Sequence, residues 1–305
     1  MLFRSMALAL LAGLFPSVHG LSPHPPGLNE FSRLSGREGC VASIRRAAAA
    51  ATGRALADGK ELLEIEFPPL LETKTQFDDF SNVEELDANR DFGTLLAIEP
   101  EICSAAQASS LWLCFADATE AKLAREAWPG ARYAEATVTS IGEAVSALGS
   151  EPLKPMGSNA ADLFNGLFGG ENQAAASPPA PPPALQMVVQ PGNGGPMEDW
   201  LNLELLKRDG TPMLCLNGAL DKVTSGYYSN FLNPKLGACS DRFFTKFEQV
   251  YYCKPVGAGR GWLFRVYPEP WQLFRQTRTQ EELERVETYE TRPTPAACVE
   301  RLQQP

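Results

Sequence analysis

Apolar and polar positions change their rhythm several times along the chain, and the changes mark the elements. Over residues 41–57, Ile44, Ala47, Ala48, Ala51 and Leu56 fall on one side of a helical wheel. The surrounding alanines have high helix propensity, so a helix is predicted there, ended by Gly59. Leu62-Leu63-Glu64-Ile65-Glu66-Phe67 then alternates with period two, which predicts a strand, stopped by Pro68-Pro69. Residues 82–91 read as a helix capped by Ser81, and 94–98 as a short buried strand. Leu111, Trp112, Leu113, Cys114 and Phe115 run without interruption, as in a strand covered on both faces. A helix over 117–128, capped by Asp117 or Thr119, closes at Pro129-Gly130. A strand at 131–138 and a short helix at 141–148 complete this half.

Residues 149–184 lose all periodicity and end in Ala174-Ala175-Ala176-Ser177-Pro178-Pro179-Ala180-Pro181-Pro182-Pro183-Ala184, the composition of a flexible insertion. Asp162-Leu163-Phe164 and Leu167-Phe168 inside it read more readily as a local turn than as an apolar hook. Structure resumes with strands at 185–190 and 213–217, a helix at 196–208 between them and a short helix at 241–247. Residues 250–254 and 262–267 flank Gly257-Ala258-Gly259-Arg260-Gly261, a β-hairpin pattern. Residues 279–289 carry charge at helical spacing. Alternating strands and helices imply an α/β fold of three layers: a mostly parallel sheet flanked by helices, with an antiparallel hairpin near the C-terminus. One domain is expected over 41–290, with 291–305 as a tail.

The first 40 residues look like targeting signals. Residues 1–20 combine Arg4, a short apolar stretch and Ser17-Val18-His19-Gly20, the layout of a signal peptide. Residues 21–40 are transit-like, with Ser22, Ser32, Ser35, Arg33 and Arg37 against few acids. A bipartite leader of this kind predicts import into a plastid bounded by extra membranes; plain secretion is the alternative. The leader's apolar stretch and every later one fall short of the ~20 residues a membrane span needs.

Composition narrows the chemistry. The 305-residue chain has a formal net charge of -10, which disfavours nucleic acid as a partner. Its two histidines, His19 and His24, both lie in the leader. Once the leader is removed, histidine-based triads and histidine-ligated metals are excluded. Cys103, Cys114, Cys215 and Cys253 sit in apolar runs and read as buried small hydrophobes.

No catalytic, cofactor-binding or metal-ligating residue emerges. The glycines at 192, 194 and 195 precede a helix, but Met197 breaks the dinucleotide pattern, and Glu198 and Asp199 would repel phosphate. Gly59-Lys60 is followed by Glu61, so no P-loop forms. The pairs Asp78-Asp79 and Glu84-Glu85 read as solvated charges. Two candidate sites remain. The carboxyl ends of the predicted strands would gather Asp117, Gln190 and Asn217 into a ligand crevice. Trp262, Tyr267 and Trp271, within a group containing Phe264 and Phe274, read first as packing; any exposed part would suit a partner surface.

Several segments in order carry a resemblance. These are Ala57-Asp58-Gly59-Lys60 with Leu63-Glu64-Ile65-Glu66-Phe67-Pro68-Pro69-Leu70, then Phe115-Ala116-Asp117-Ala118-Thr119-Glu120-Ala121. Val188-Val189-Gln190-Pro191, Leu214-Cys215-Leu216-Asn217 and Val266-Tyr267-Pro268-Glu269-Pro270-Trp271 follow. Together they resemble the plastid domain-of-unknown-function family numbered nineteen ninety-five. That family includes the Low PSII Accumulation Three type proteins, and a copy follows the kinase domain of a plastid adenylate kinase. The resemblance implies a plastid location, in the stroma or on the thylakoid surface. It also implies a non-catalytic role in photosystem II assembly through protein partners, such as core subunits or insertion factors. It brings no catalytic residues and no cofactor. A small-molecule or nucleotide-binding regulatory domain is the alternative.

Overall fold

In a computed structural model, residues 37–67, 82–106, 110–127, 136–154, 179–192, 197–225, 227–228, 231, 233–276 and 283–304 are described. Residues 1–36 of the predicted leader lie outside them, as do Asp162 to Phe168 of the insertion, while residues 37–40 of the expected transit-like segment belong to the first helix.

Nine strands form one sheet. In chain order they are β1 (Leu62–Glu66), β2 (Leu111–Phe115), β3 (Thr137–Ser140), β4 (Leu185–Val189), β5 (Met213–Leu216), β6 (Glu248–Val256), β7 (Gly261–Val266), β8 (Trp271–Gln276) and β9 (Leu283–Tyr289). Their order across the sheet is β3-β2-β4-β5-β1-β6-β7-β8-β9. Every pairing from β3 to β6 is parallel, and β6 to β9 pair antiparallel. Helices lie on both faces, so the α/β architecture is the one the alternation implied, with four antiparallel strands in place of a single hairpin.

One face is covered by α1 (Arg37–Ala57), α2 (Asn82–Ala97), α3 (Pro100–Ala106) and α4 (Ala118–Ala127). Ile44, Leu96 and Ala121 from these helices meet Leu63, Ile65, Leu113, Met187, Leu214 and Tyr251 from the sheet. The other face carries α5 (Ile141–Ala147), α6 (Glu198–Leu206), α7 (Leu220–Thr224), α8 (Pro234–Arg242) and a 3-10 turn (Phe244–Lys246). They bury Trp112, Cys114, Val188 and Cys215. A third apolar cluster on this face joins Tyr252, Leu263, Trp271 and Leu273 to Cys298 and Leu302 of α9 (Pro295–Gln303). The last two clusters do not merge. The gap between them lies beside β1 and β6, and the candidate site occupies it.

Local chemistry accounts for several boundaries. Ser140 and Glu143 form a capping box at the start of α5, and Thr294 accepts from the Ala297 amide at the start of α9. Both α8 and α9 place proline in the first turn, where its missing N–H costs nothing. Gly192 (φ +72°) passes under the Trp200 ring, where a Cβ would lie 2.6 Å from a ring carbon.

Four expected elements differ. Residues 94–97 end α2 rather than forming a strand: Thr94 turns its hydroxyl back on the Arg90 carbonyl, inside the helix. A short apolar run fits either state, and here the longer helix wins. The charged segment near the C-terminus is β9, not a helix, because pairing with β8 satisfies its backbone. The short helix expected at 241–247 starts earlier, at Pro234, and gives way to the 3-10 turn. The expected tail is α9, packed onto the sheet.

The insertion leaves and returns at one place. Gly149 (φ +79°) lies so near Pro179 that an added Cβ would be 3.0 Å from its Cγ. The Ala180 amide donates to Ala147, while Asn202 of α6 clamps Leu153 by both backbone groups at 2.8 and 3.0 Å.

Candidate functional site

Alternation along β1 decides what lies in the gap. Leu63 and Ile65 face the helices α1 to α4, so Glu64 and Glu66 must face the other way. Because β1 is central, with β5 on one side and β6 on the other, both carboxylates are buried: Glu64 is 1% exposed and Glu66 4%. Cys215 of β5 and Gln249 and Tyr252 of β6 stand beside them in register.

A buried carboxylate needs a partner. Glu66 Oε1 lies 2.7 Å from Lys254 Nζ, and its Oε2 accepts from the Ala219 amide at 3.1 Å. Lys254 also donates to both oxygens of Asp221, at 3.2 and 3.0 Å. Asp221 Oδ2 is 3.9 Å from Arg292 Nη2, and Arg292 donates to the Tyr252 hydroxyl at 2.6 Å while stacking over the Tyr252 and Trp271 rings. Glu64 accepts only from Gln249, at 2.9 Å; its Oε1 is buried with no partner among the described residues.

These surroundings set the charges. Burial, helped by the Glu66 charge, pushes the Glu64 pKa up to about 7. Burial also raises Glu66, against the pull of Lys254. For Lys254 burial works downward, but Glu66 and Asp221 outweigh it and hold the ammonium protonated. Burial would lift Asp221, yet Lys254 and Arg292 bring it below the usual carboxylate range.

Above the cluster opens a cavity of about 510 Å³. Asp221, Lys222, Lys254 and Arg292 provide its charges. Tyr252, Val256, Leu263, Pro293, Pro295 and Val299 provide an apolar wall. Three cations against Asp221 in the lining and Glu66 beneath Lys254 leave this cleft locally positive on a chain of net charge -10. Tyr227 belongs to its lining and is 74% exposed; Phe231, four positions further along the chain, is 91% exposed.

Of the expected crevice, Gln190 and Asn217 are brought together and Asp117 is not. Gln190 and Asn217 follow β4 and β5 with left-handed backbones, both at φ 47°. Asn89 of α2 joins them: it donates to Gln190 Oε1 at 2.7 Å and accepts from Asn217 at 2.6 Å. Gln190 donates on to Glu85, and Asn217 accepts from the Phe67 amide. This network ties strand ends to α2 and is buried. Asp117 instead caps α4, accepting from the Thr119 and Glu120 amides. Gly192 donates to Asp199, whose pKa burial lifts to about 6.

Trp262, Tyr267 and Trp271 offer no partner surface, since all three are buried. Trp262 packs in the large core, Tyr267 is tied to α1 through Asp58 and Arg54, and Trp271 lies under α9 and the guanidinium groups of Arg265 and Arg292. Residues 78–79 lie outside the described residues. Among the described residues no group of acidic, cysteine or histidine side chains is arranged to hold a metal, and no helix is long and apolar enough to cross a membrane.

Sequence reasoning missed Glu64, Glu66, Asp221, Lys254 and Arg292. One signal was present: two carboxylates on a strand that a parallel sheet would bury on both faces.

No curated protein and no solved structure matches the chain. A family model matches residues 41–300, spanning the sheet, the cleft and most of α9. The chain belongs to the family described as Domain of unknown function (DUF1995).

Proposed function

We propose that this domain is a non-catalytic binding module that takes a small anionic molecule in the cleft between α7 and the start of α9. The observation that carries the reading is the lining: Lys222, Lys254 and Arg292 converge on one cavity beside a single carboxylate. Concave, mostly apolar cavities with a few convergent charges are the usual form of small-molecule sites. Binding suits this cluster better than turnover. Glu66 and Asp221 are held in ion pairs with Lys254, and burial raises the Cys114 and Cys239 thiols to about 12 and Cys215 well above its ordinary value, far from a reactive thiolate.

Calorimetric titration of the full chain with inorganic phosphate, adenine nucleotides and aryl carboxylates tests the reading. Saturable binding that Arg292→Gln weakens at least tenfold is expected. Absence of binding to every anion in the panel would refute it.

A second reading has its own support. Tyr227 at the cleft and Phe231, four positions further along the chain, both expose large aromatic surface, the kind of side chain favoured at protein interfaces. With the family resemblance, this supports a plastid factor that aids photosystem II assembly at the thylakoid surface. Affinity capture of the tagged protein from gently solubilised cells should recover photosystem II core subunits, and Tyr227→Ser with Phe231→Ser should lose them. Recovery of secretory proteins alone would remove this reading and the plastid location with it.

A further inference from the structure

The anionic position of the cleft is already filled from within the chain. Asp221 lines the cavity and places both its oxygens on Lys254 Nζ, with Arg292 the next cation along. We propose that Asp221 is a built-in stand-in for a ligand's anionic head. The natural ligand is then an amphiphilic anion, a carboxylate or phosphate on an apolar body, that displaces Asp221 from Lys254 and Arg292. This inference rests on the anion-binding reading of the cleft and adds the ligand class and the competitor.

Three features single out Asp221 among the carboxylates. The first is anchorage. Glu66 belongs to the central strand, is fixed by a backbone amide as well as by Lys254, and its side chain is 6% exposed. Besides Lys254, Asp221 accepts among the described residues only from the Lys222 amide of its own short helix, at 3.0 Å, and its side chain is 28% exposed. The second is the mounting. Helix α7 has five residues and begins after Ala219, a non-glycine residue in the left-handed region (φ 50°), with exposed Thr224 and Ser225 at its far end. The left-handed region is disfavoured for alanine, because its Cβ crowds the following carbonyl oxygen, so the helix is mounted on a strained turn. The third is the opposite wall. Val256, Leu263, Pro293, Pro295 and Val299 contribute no hydrogen-bonding side chain, so a bare anion would leave that wall unused. An apolar body fills it, and its burial offsets the loss of Asp221 from the cations.

With Asp221 withdrawn, the lining keeps Lys222, Lys254 and Arg292, and Lys254 keeps Glu66. A ligand carboxylate or phosphate restores the charge balance that Asp221 provides in its absence. A pair of oxygens from a phosphate or carboxylate head also matches the fork of Arg292.

Calorimetric titration of the full chain with phenyl phosphate, decanoate and inorganic phosphate tests the inference, in the native protein, Asp221→Asn and Arg292→Gln. Asp221→Asn keeps the size of the side chain and removes the competing charge. Phenyl phosphate or decanoate should bind the native chain more tightly than inorganic phosphate does, Asp221→Asn should tighten that binding at least tenfold, and Arg292→Gln should loosen it. Near-ultraviolet circular dichroism checks that each variant keeps native packing, and competition between the two organic probes in the native chain provides a second measure of one shared head position. Binding of the organic probes that is unchanged or weaker in Asp221→Asn would overturn the stand-in role while leaving the anion cleft standing. Equal binding of inorganic phosphate would overturn the amphiphilic class. Failure of all three probes with both native and Asp221→Asn protein would remove the inference together with the reading beneath it.

Discussion

Leu63 and Ile65 leave β1 on one side of the sheet, Glu64 and Glu66 on the other, and all four are buried. The first pair meets a continuous apolar core built with α1 and α2. The second pair meets a lysine, a glutamine, a tyrosine and the edge of a cavity, at the place where two apolar clusters fail to join. One strand thus serves two media. The apolar side is stabilised by burial without direction, whereas the polar side is stable only while each charge keeps its partner.

Removing a partner on the polar side should have the largest effect. Lys254→Met leaves Glu66 buried without its cation and Asp221 with Arg292 alone, and should cost about 3–5 kcal/mol in urea unfolding. A loss comparable to an exposed pair would mean that the cluster is solvated rather than buried. On the apolar side, Ile65→Ala should cost about 2–4 kcal/mol and do so equally at pH 5 and pH 8, since only packing is lost.

The pH dependence separates the two faces further. Glu64 has a folded pKa of about 7 against an ordinary 4.5, so its neutral form is the one the fold prefers. Its favourable contribution is fully present below about 4.5 and is lost as the pH rises through 7. Glu64→Gln should therefore be more stable than the native chain at pH 8, by on the order of 1–3 kcal/mol, and nearly equal to it at pH 5. Glu66, also raised, should add a slope of the same sign. Denaturation midpoints across this range check the sign: a native chain that gains stability from pH 5 to pH 8 would contradict it. The smallest effect belongs to a pair outside both environments. Lys122 and Glu126 lie 3.7 Å apart on an exposed face of α4, and Lys122→Gln should change stability by less than about 0.5 kcal/mol.

How much of this was legible depended on whether the information was local. Leu62 to Phe67 announced a strand by its period, and Leu111 to Phe115 announced burial on both faces, so the parallel half of the sheet could be read. Residues 283–289 could not. Their charges fit a helix as well as an edge strand, and only pairing with β8 chooses between them. The site was the least legible part. Asp221, Lys254 and Arg292 are 33 and 38 positions apart, share no motif, and converge only because β6 lies next to β1 and the C-terminal segment folds back. Gln190 and Asn217 could be placed at strand ends because parallel strands present them there. Asp117 lies at such an end too, but its carboxylate was taken by the nearest free amides.

The meeting of Gly149 with Pro179 has a practical consequence. A chain that departs and returns at one point, with both ends pinned to α5 and α6, works as a socket: what is plugged into it need not disturb the body of the molecule. Loop closure depends on length only logarithmically, so trimming the excursion to a quarter of its length changes the closure cost by roughly 1.2 kcal/mol. A fluorescent protein or affinity tag grafted between residues 154 and 179 would report on this domain in living cells while leaving both of its termini untouched.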